Sequence, residues 1–397
     1  MKKVWMGAGA LIIAGVIGWW MIGSDWRRLA TNLPTDKNML FWTVDQRDAA
    51  FRMLDRLPFL VKARPIEAGS SVRALETGAP LNLDFDIDAY VEEQRHSAVV
   101  ILHDGKVRYE KYNLGFTDSG RWTSHSVAKS ITSTLVGAAI RDGYIQSLND
   151  PVSNYIGGLK GSAYDDVTVE QLLTMTSGVA WNEDYDDPNS DVAKFGTHES
   201  SDGLPALVSY MSQLPRAHAA GDVWNYSTGE TNLIGILVSE ATGKPLATYL
   251  SEKIWAPYGM QQDASWLLSP DGQEISGCCI QAATRDFARF GQFILENGTI
   301  DGVSVVPEDW LASATTSRVA TGYDGVAYGY QWWVYGEDAF AAIGIFGQGI
   351  YIDRKRKLVV ASNSNWTTAL GGKDGENLRR HQFYMDITRA IDAEPPR

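Results

Sequence analysis

The chain has 397 residues, 44% hydrophobic and 21% charged, so it is an ordinary globular protein rather than a disordered or fibrous one, with enough length for one large domain or two intertwined ones. A formal net charge of −13 argues against a nucleic-acid partner, because phosphate binding needs a basic surface. The two cysteines, Cys278 and Cys279, are adjacent, which excludes a stapled disulfide framework and leaves them as small packing residues; the histidines lack metal-ligand spacing, so no metal and no other cofactor is expected.

In chain order, Lys2 and Lys3 precede Val4 to Gly23, a charge-free run of about 20 residues, long enough to cross a bilayer as a helix. Trp19 and Trp20 suit a membrane interface, and the run ends in a poor cleavage site. It reads as an uncleaved signal anchor that holds an exported domain at the membrane; a secreted form after signal cleavage is the other reading. Residues 24–83 read as a juxtamembrane lead-in broken by Pro34, Pro58, Pro65 and Pro80, and residues 84–391 as the functional domain. Within it Asp86 to Gln94 is helical. Ala98 to Leu102 and Val107 to Tyr112 flank Asp104–Gly105, a strong hairpin signal.

Helices follow at Ser126 to Ile140, at Val169 to Met175, and at Thr231 to Thr242, closed by Gly243. Another runs from Thr284 to Asn297, with Phe287, Phe290, Phe293 and Ile294 at helical spacing. Strands are expected at Tyr330 to Tyr335, Ala339 to Ile345, Gly349 to Ile352 and Lys357 to Ser362, then a last helix from Asn377 to Ile391. This order predicts an α+β fold: an antiparallel sheet from N- and C-terminal segments, flanked by helices, with a mostly helical insertion over about residues 145–280.

The stretch RWTSHSVAKSITSTLVGAAI, beginning at Arg121, puts Ser126 and Lys129 in the first turn of a helix. Residues i and i+3 share a face, so the hydroxyl lies within reach of the amine. Two readings are open: a plain helix start, or a nucleophile with the base that takes its proton. Tyr226, in Trp224–Asn225–Tyr226–Ser227–Thr228–Gly229, is either an aromatic packed under a loop or a phenol drawn toward phenolate by a nearby ammonium. Gly344, near the end of a strand, would let substrate approach the backbone so that the next N–H donates to an oxyanion; a plain hairpin is the other reading.

Ser126-Val-Ala-Lys129, then Tyr226-Ser-Thr228, then a glycine-bearing C-terminal strand resemble the three motifs of the serine β-lactamase-like hydrolases, which include class C β-lactamases, D,D-peptidases and esterases. Through SHSVAKSITSTLVGAAI, LLTMTSGVAWNEDYDDPNSD and GIFGQGIYID the chain is most similar to the 6-aminohexanoate-dimer hydrolase subgroup, over roughly residues 84 to 391. The resemblance implies a serine hydrolase in which Ser126 is acylated, Lys129 is the base and Tyr226 relays the proton. The Ser126 and Ile345 N–H groups would form the oxyanion hole, with Gln348 as the alternative to Ile345. Tyr185 would contact substrate, and Asp191 would either receive a substrate amine or sit on a solvated acidic loop. Two departures stand out: Thr228 replaces the usual asparagine or serine, and Ala342–Ile343–Gly344 stands where a Lys/His-Thr-Gly triplet would be. A small ester or amide substrate therefore fits better than an antibiotic or a cell-wall peptide, the alternatives being β-lactamase or D,D-peptidase action and a non-catalytic sensor domain.

Overall fold

The computed structural model describes residues 18–57 and 61–395. Among them, eight strands build one sheet: β1 (His96–His103), β2 (Lys106–Tyr112), β3 (Val319–Ala320), β4 (Ala327–Tyr328), β5 (Trp333–Val334), β6 (Ala339–Gly344), β7 (Gln348–Asp353) and β8 (Leu358–Ser364). The order across the sheet is β2-β1-β8-β7-β6-β5-β4-β3, with every neighbouring pair antiparallel. Asp104 and Gly105 both take positive φ, as a tight hairpin turn requires, and they join β1 to β2. The step that closes the sheet is β1 against β8, with Val100 opposite Ala361, which unites the two ends of the chain as expected.

Of four long helices, α1 (Val127–Arg141), α2 (Thr228–Thr242), α3 (Thr284–Leu295) and α4 (Glu376–Asp392), α2 packs on α1 and the other three pack on the sheet. Strand side chains alternate between faces, so each strand feeds two cores. Val100, Leu102, Val359 and Ala361 pack with Phe287, Phe290 and Phe293 of α3, whereas Val99, Ile101, Leu358 and Val360 pack with Phe383, Tyr384 and Ile387 of α4. Both faces being covered explains why these strands read as unbroken apolar runs. The expected strand at Tyr330 to Tyr335 shrinks to β5, because the preceding backbone bonds elsewhere: Ser133 and Ser130 of α1 donate to the carbonyls of Tyr330 and Gln331, and Gln331 N–H donates to Leu173.

A second, four-stranded sheet joins Lys62–Ile66, Ala264–Leu268, Ile280–Ala282 and Trp122–Thr123 in that order. Its last pair sets Trp122 opposite Ala282, which brings residues 124–126 alongside residues 277–280.

Residues 24–57 are part of the folded body. A helix over Ser24–Thr31 and another over Val44–Ala50, the latter started by a Thr43/Gln46 capping box, carry Leu29, Trp42, Phe51 and Met53 into one apolar cluster with Trp122 and Phe346. Among the described residues no helix is long and apolar enough to cross a membrane. This overturns the expected anchored, exported location and leaves the membrane as a partner without support; Val4–Gly23 lies for the most part outside the described residues. From Ser24 onward the chain already packs against the domain, with Leu29 buried and Asp25 paired to Arg52.

Candidate active site

Ser126 occupies the N-cap position of α1, yet its side chain makes no capping bond, which leaves its hydroxyl available. The turn before it is held hard. Ser124 donates through its N–H to the Ile280 carbonyl and accepts from Ile280 N–H through its hydroxyl, and His125 adopts a left-handed φ of 42°. The end of β6 closes on the same turn. A Cβ on Gly344 would lie 2.7 Å from the Ser124 carbonyl oxygen and 3.0 Å from Ser126 N, so only glycine allows this approach. It places the start of the Ile345–Gly347 turn beside the Ser126 N–H. Gln348 is fully buried, and its amide donates to the carbonyls of Ile345 and Ser364, fixing the turn from beneath.

Lys129 is 1% exposed and lies one turn into α1. Its Nζ donates to Ser126 Oγ at 3.2 Å, Thr228 Oγ1 at 2.9 Å and the Gly277 carbonyl at 2.7 Å, so each proton of the ammonium has an acceptor. Burial brings its pKa down to about 8, opposed by the negative charge of Glu183. Tyr226, on the loop leading into α2, lies near enough to Ser126 for its phenol to feel that hydroxyl, and its ring centroid lies 5.3 Å from Lys129 Nζ. Trp333 stacks on the same ring, with centroids 5.5 Å apart. The alcohol, amine and phenol expected from sequence therefore meet in one place. The expected drift of Tyr226 toward phenolate is corrected: burial first, and Glu183 second, push the phenol upward, so it keeps its proton.

The loop after Thr176–Ser177–Gly178 supplies a residue that sequence reasoning missed. Glu183 accepts from the Thr228 N–H and hydroxyl, from Trp181 Nε1 and from the Tyr185 hydroxyl. Thr228 thus relays between the Glu183 carboxylate and the Lys129 ammonium. In sequence Glu183 is one acid among Asp184, Asp186 and Asp187, and nothing local distinguishes it. Tyr185 reaches this group through Glu183. Asp191 does not join it: one carboxylate oxygen accepts from Asn182 N–H at 2.7 Å and the other from the Tyr210 hydroxyl at 2.6 Å. Cys278 and Cys279 are bonded to each other, a correction to the expectation of two small packing residues; the left-handed φ of 80° at Cys279 accompanies this closure.

The beta-lactamase family model matches residues 86–383. The chain belongs to the beta-lactamase family. Like others in this family, it is a serine hydrolase. It is 30% identical over 353 residues to the 6-aminohexanoate-dimer hydrolase of Paenarthrobacter ureafaciens, a match covering 83% of this chain and 86% of that protein. Esterase EstB of Burkholderia gladioli is 25% identical over 198 residues, covering 45% of this chain and 50% of that protein. Among solved structures, a Bacillus anthracis protein proposed to be a 6-aminohexanoate-dimer hydrolase superposes with a TM-score of 0.77 at 22% identity, covering 88% of this chain and 95% of the other.

Proposed function

We propose that this beta-lactamase-family enzyme cleaves a small ester or short amide through an acyl-enzyme on Ser126. The observation that carries the reading is the Lys129 amine, buried, 3.2 Å from Ser126 Oγ and with a pKa of about 8. Once neutral, the amine keeps two N–H bonds, to Thr228 and the Gly277 carbonyl, and its lone pair is left facing Ser126. Ser126 Oγ attacks the substrate carbonyl carbon while its proton passes to Lys129. The oxyanion is received by the N–H groups of Ser126 and Ile345. Collapse expels the alcohol or amine, protonated through Tyr226, and water then repeats the sequence to free the acid.

Substrate preference rests on what replaces the Lys/His-Thr-Gly triplet. Ala342–Ile343–Gly344 carries no cation to hold a carboxylate, which disfavours penicillins and cell-wall peptides. The similarity to a hydrolase named for 6-aminohexanoate dimer points the same way. Tyr185, tied to Glu183, is assigned to the substrate cleft. Asp191, with both oxygens engaged, is assigned to holding its loop. The test is turnover of a short-chain p-nitrophenyl ester together with intact-mass detection of a fluorophosphonate adduct. Ser126→Ala should abolish both; unchanged rates in that variant would reject the assignment.

A further inference from the structure

We propose that the Cys278–Cys279 bond is a redox modification site that sets the activity of the neighbouring lysine. The inference rests on the reading of Lys129 as the base for Ser126. The chain has two cysteines, and they are joined to each other. An adjacent pair cannot staple remote segments; the ring it closes restrains only its own stretch of backbone.

That stretch lies between two anchors of the active site. On its N-terminal side is the Gly277 carbonyl, which accepts from Lys129 Nζ at 2.7 Å and belongs to the peptide unit leading into Cys278. On its C-terminal side is Ile280, bonded twice to Ser124, two residues before the nucleophile. The segment up to Gly277 is fixed independently: Ser276 Oγ donates to the Thr231 carbonyl, Thr132 Oγ1 donates to the Ser276 carbonyl, and a Cβ on Gly277 would lie 2.8 Å from the Thr228 carbonyl oxygen. The orientation of the 277–278 peptide is set by the 275–278 turn, in which Cys278 N–H donates to the Ile275 carbonyl at 3.1 Å, and by the ring that begins at Cys278. There Cys279 holds a φ of 80°, which L residues avoid, while the closed ring limits its escape.

The pair is placed for exchange. Cys278 is partly exposed, whereas Cys279 is 1% exposed. Both pack in the cluster that includes Tyr185, Ile345 and Phe346. An external dithiol attacks the Cys278 sulfur as its thiolate, and Cys279 leaves as thiolate and takes a proton. The second thiol of the reagent then attacks the mixed disulfide, releasing Cys278 as a thiol and the reagent as its cyclic disulfide, a two-electron, two-proton exchange. With the ring open, Cys279 leaves its left-handed conformation, and the 275–278 turn that presents the Gly277 carbonyl loses the restraint at its end. Lys129 then loses the acceptor that aims its lone pair at Ser126.

The test compares the oxidised enzyme with the same enzyme treated with dithiothreitol or a phosphine, each state verified by intact mass with and without iodoacetamide. Reduction should lower kcat for the p-nitrophenyl ester roughly tenfold to a hundredfold, as expected for a displaced catalytic group, and reoxidation should restore it. The pH of the acid limb should shift on reduction, which a general loosening of the fold would not cause. A Cys278→Ser/Cys279→Ser variant should match the reduced enzyme and ignore reductant; the wild-type comparison stands if that variant fails to fold. Equal kcat and an unmoved limb in the two states would overturn the proposal, as would thiols that no oxidant closes. Failure of the Ser126 reading is distinct: it would appear as turnover that survives Ser126→Ala, whatever the redox state.

Discussion

Glu183→Gln removes one charge from the active site while nearly preserving shape, and the consequence for Lys129 can be worked out. The carboxylate is one hydroxyl away from the ammonium: Thr228 Oγ1 donates to Glu183 and accepts from Lys129 Nζ at 2.9 Å. Opposite charges about 5 Å apart attract by about 3 kcal/mol at an effective dielectric of about 20, and by less than about 1 kcal/mol in bulk water. Glu183 is only partly buried, so a drop of about one to two pKa units is expected when the charge is removed. The parent limb should lie at about 8, rates rising with pH as Lys129 becomes neutral, and the variant limb at about 6–7. At about pH 6 the variant should keep about a quarter of its plateau kcat/KM, where the parent keeps about one per cent. The assay is kcat/KM for a p-nitrophenyl ester from about pH 5 to about pH 10. A limb that stays in place, or moves to higher pH, would refute the electrostatic reasoning. The same substitution strands donors on Trp181, Tyr185 and Thr228, so a stability loss of about 1–3 kcal/mol should accompany it.

Tyr226→Phe should lower kcat by about 10²–10⁴ with the Lys129 limb unmoved, since the ring remains and only the proton donor is lost; a change in KM alone would point to a binding role. Gly344→Ala should cost roughly tenfold to a hundredfold in kcat, because the new methyl would push against the Ser124 carbonyl and Ser126 N. Full activity in that variant would dissociate β6 from the oxyanion site. Arg47→Met should destabilise the fold by about 3 kcal/mol or more, measured by urea denaturation, since the carbonyls of Trp42, Trp366 and Thr367 and the Asn365 side chain lose their donor. Because the unfolded chain holds the Lys129 proton up to about 10.5 and the folded chain releases it near 8, stability from this group should rise with pH between those values.

The parts of this fold that could be read from sequence are those written in local chemistry. Asp104–Gly105 specifies a turn, Gly243 ends α2 in a left-handed conformation, and the aromatic spacing of α3 identifies its buried face. Ser126 and Lys129 were visible as a pair because a helix puts them there whatever surrounds it. What escaped reading depends on remote partners. Glu183 acquires its importance from Thr228, 45 residues away. The direction of the Tyr226 shift depends on how deeply the ring is buried, and proximity to an ammonium alone suggested the opposite. The strand expected at Tyr330 is consumed by hydroxyls from α1, a competition no window of sequence contains. The helices over residues 24–50 were overlooked because Pro34 between them and Pro58 beyond them, with the apolar run before, suggested a spacer.

Those early helices alter what counts as the minimal folding unit. The family model begins at residue 86, yet Phe51 stacks edge-on against Trp122 and His125, immediately upstream of Ser126, and the Arg47 guanidinium lies 4.2 Å over the Phe346 ring beside Ile345. A polypeptide trimmed to residues 86–383 would bare the rear wall of the candidate site to water. Residues 24–57 act as a backplate.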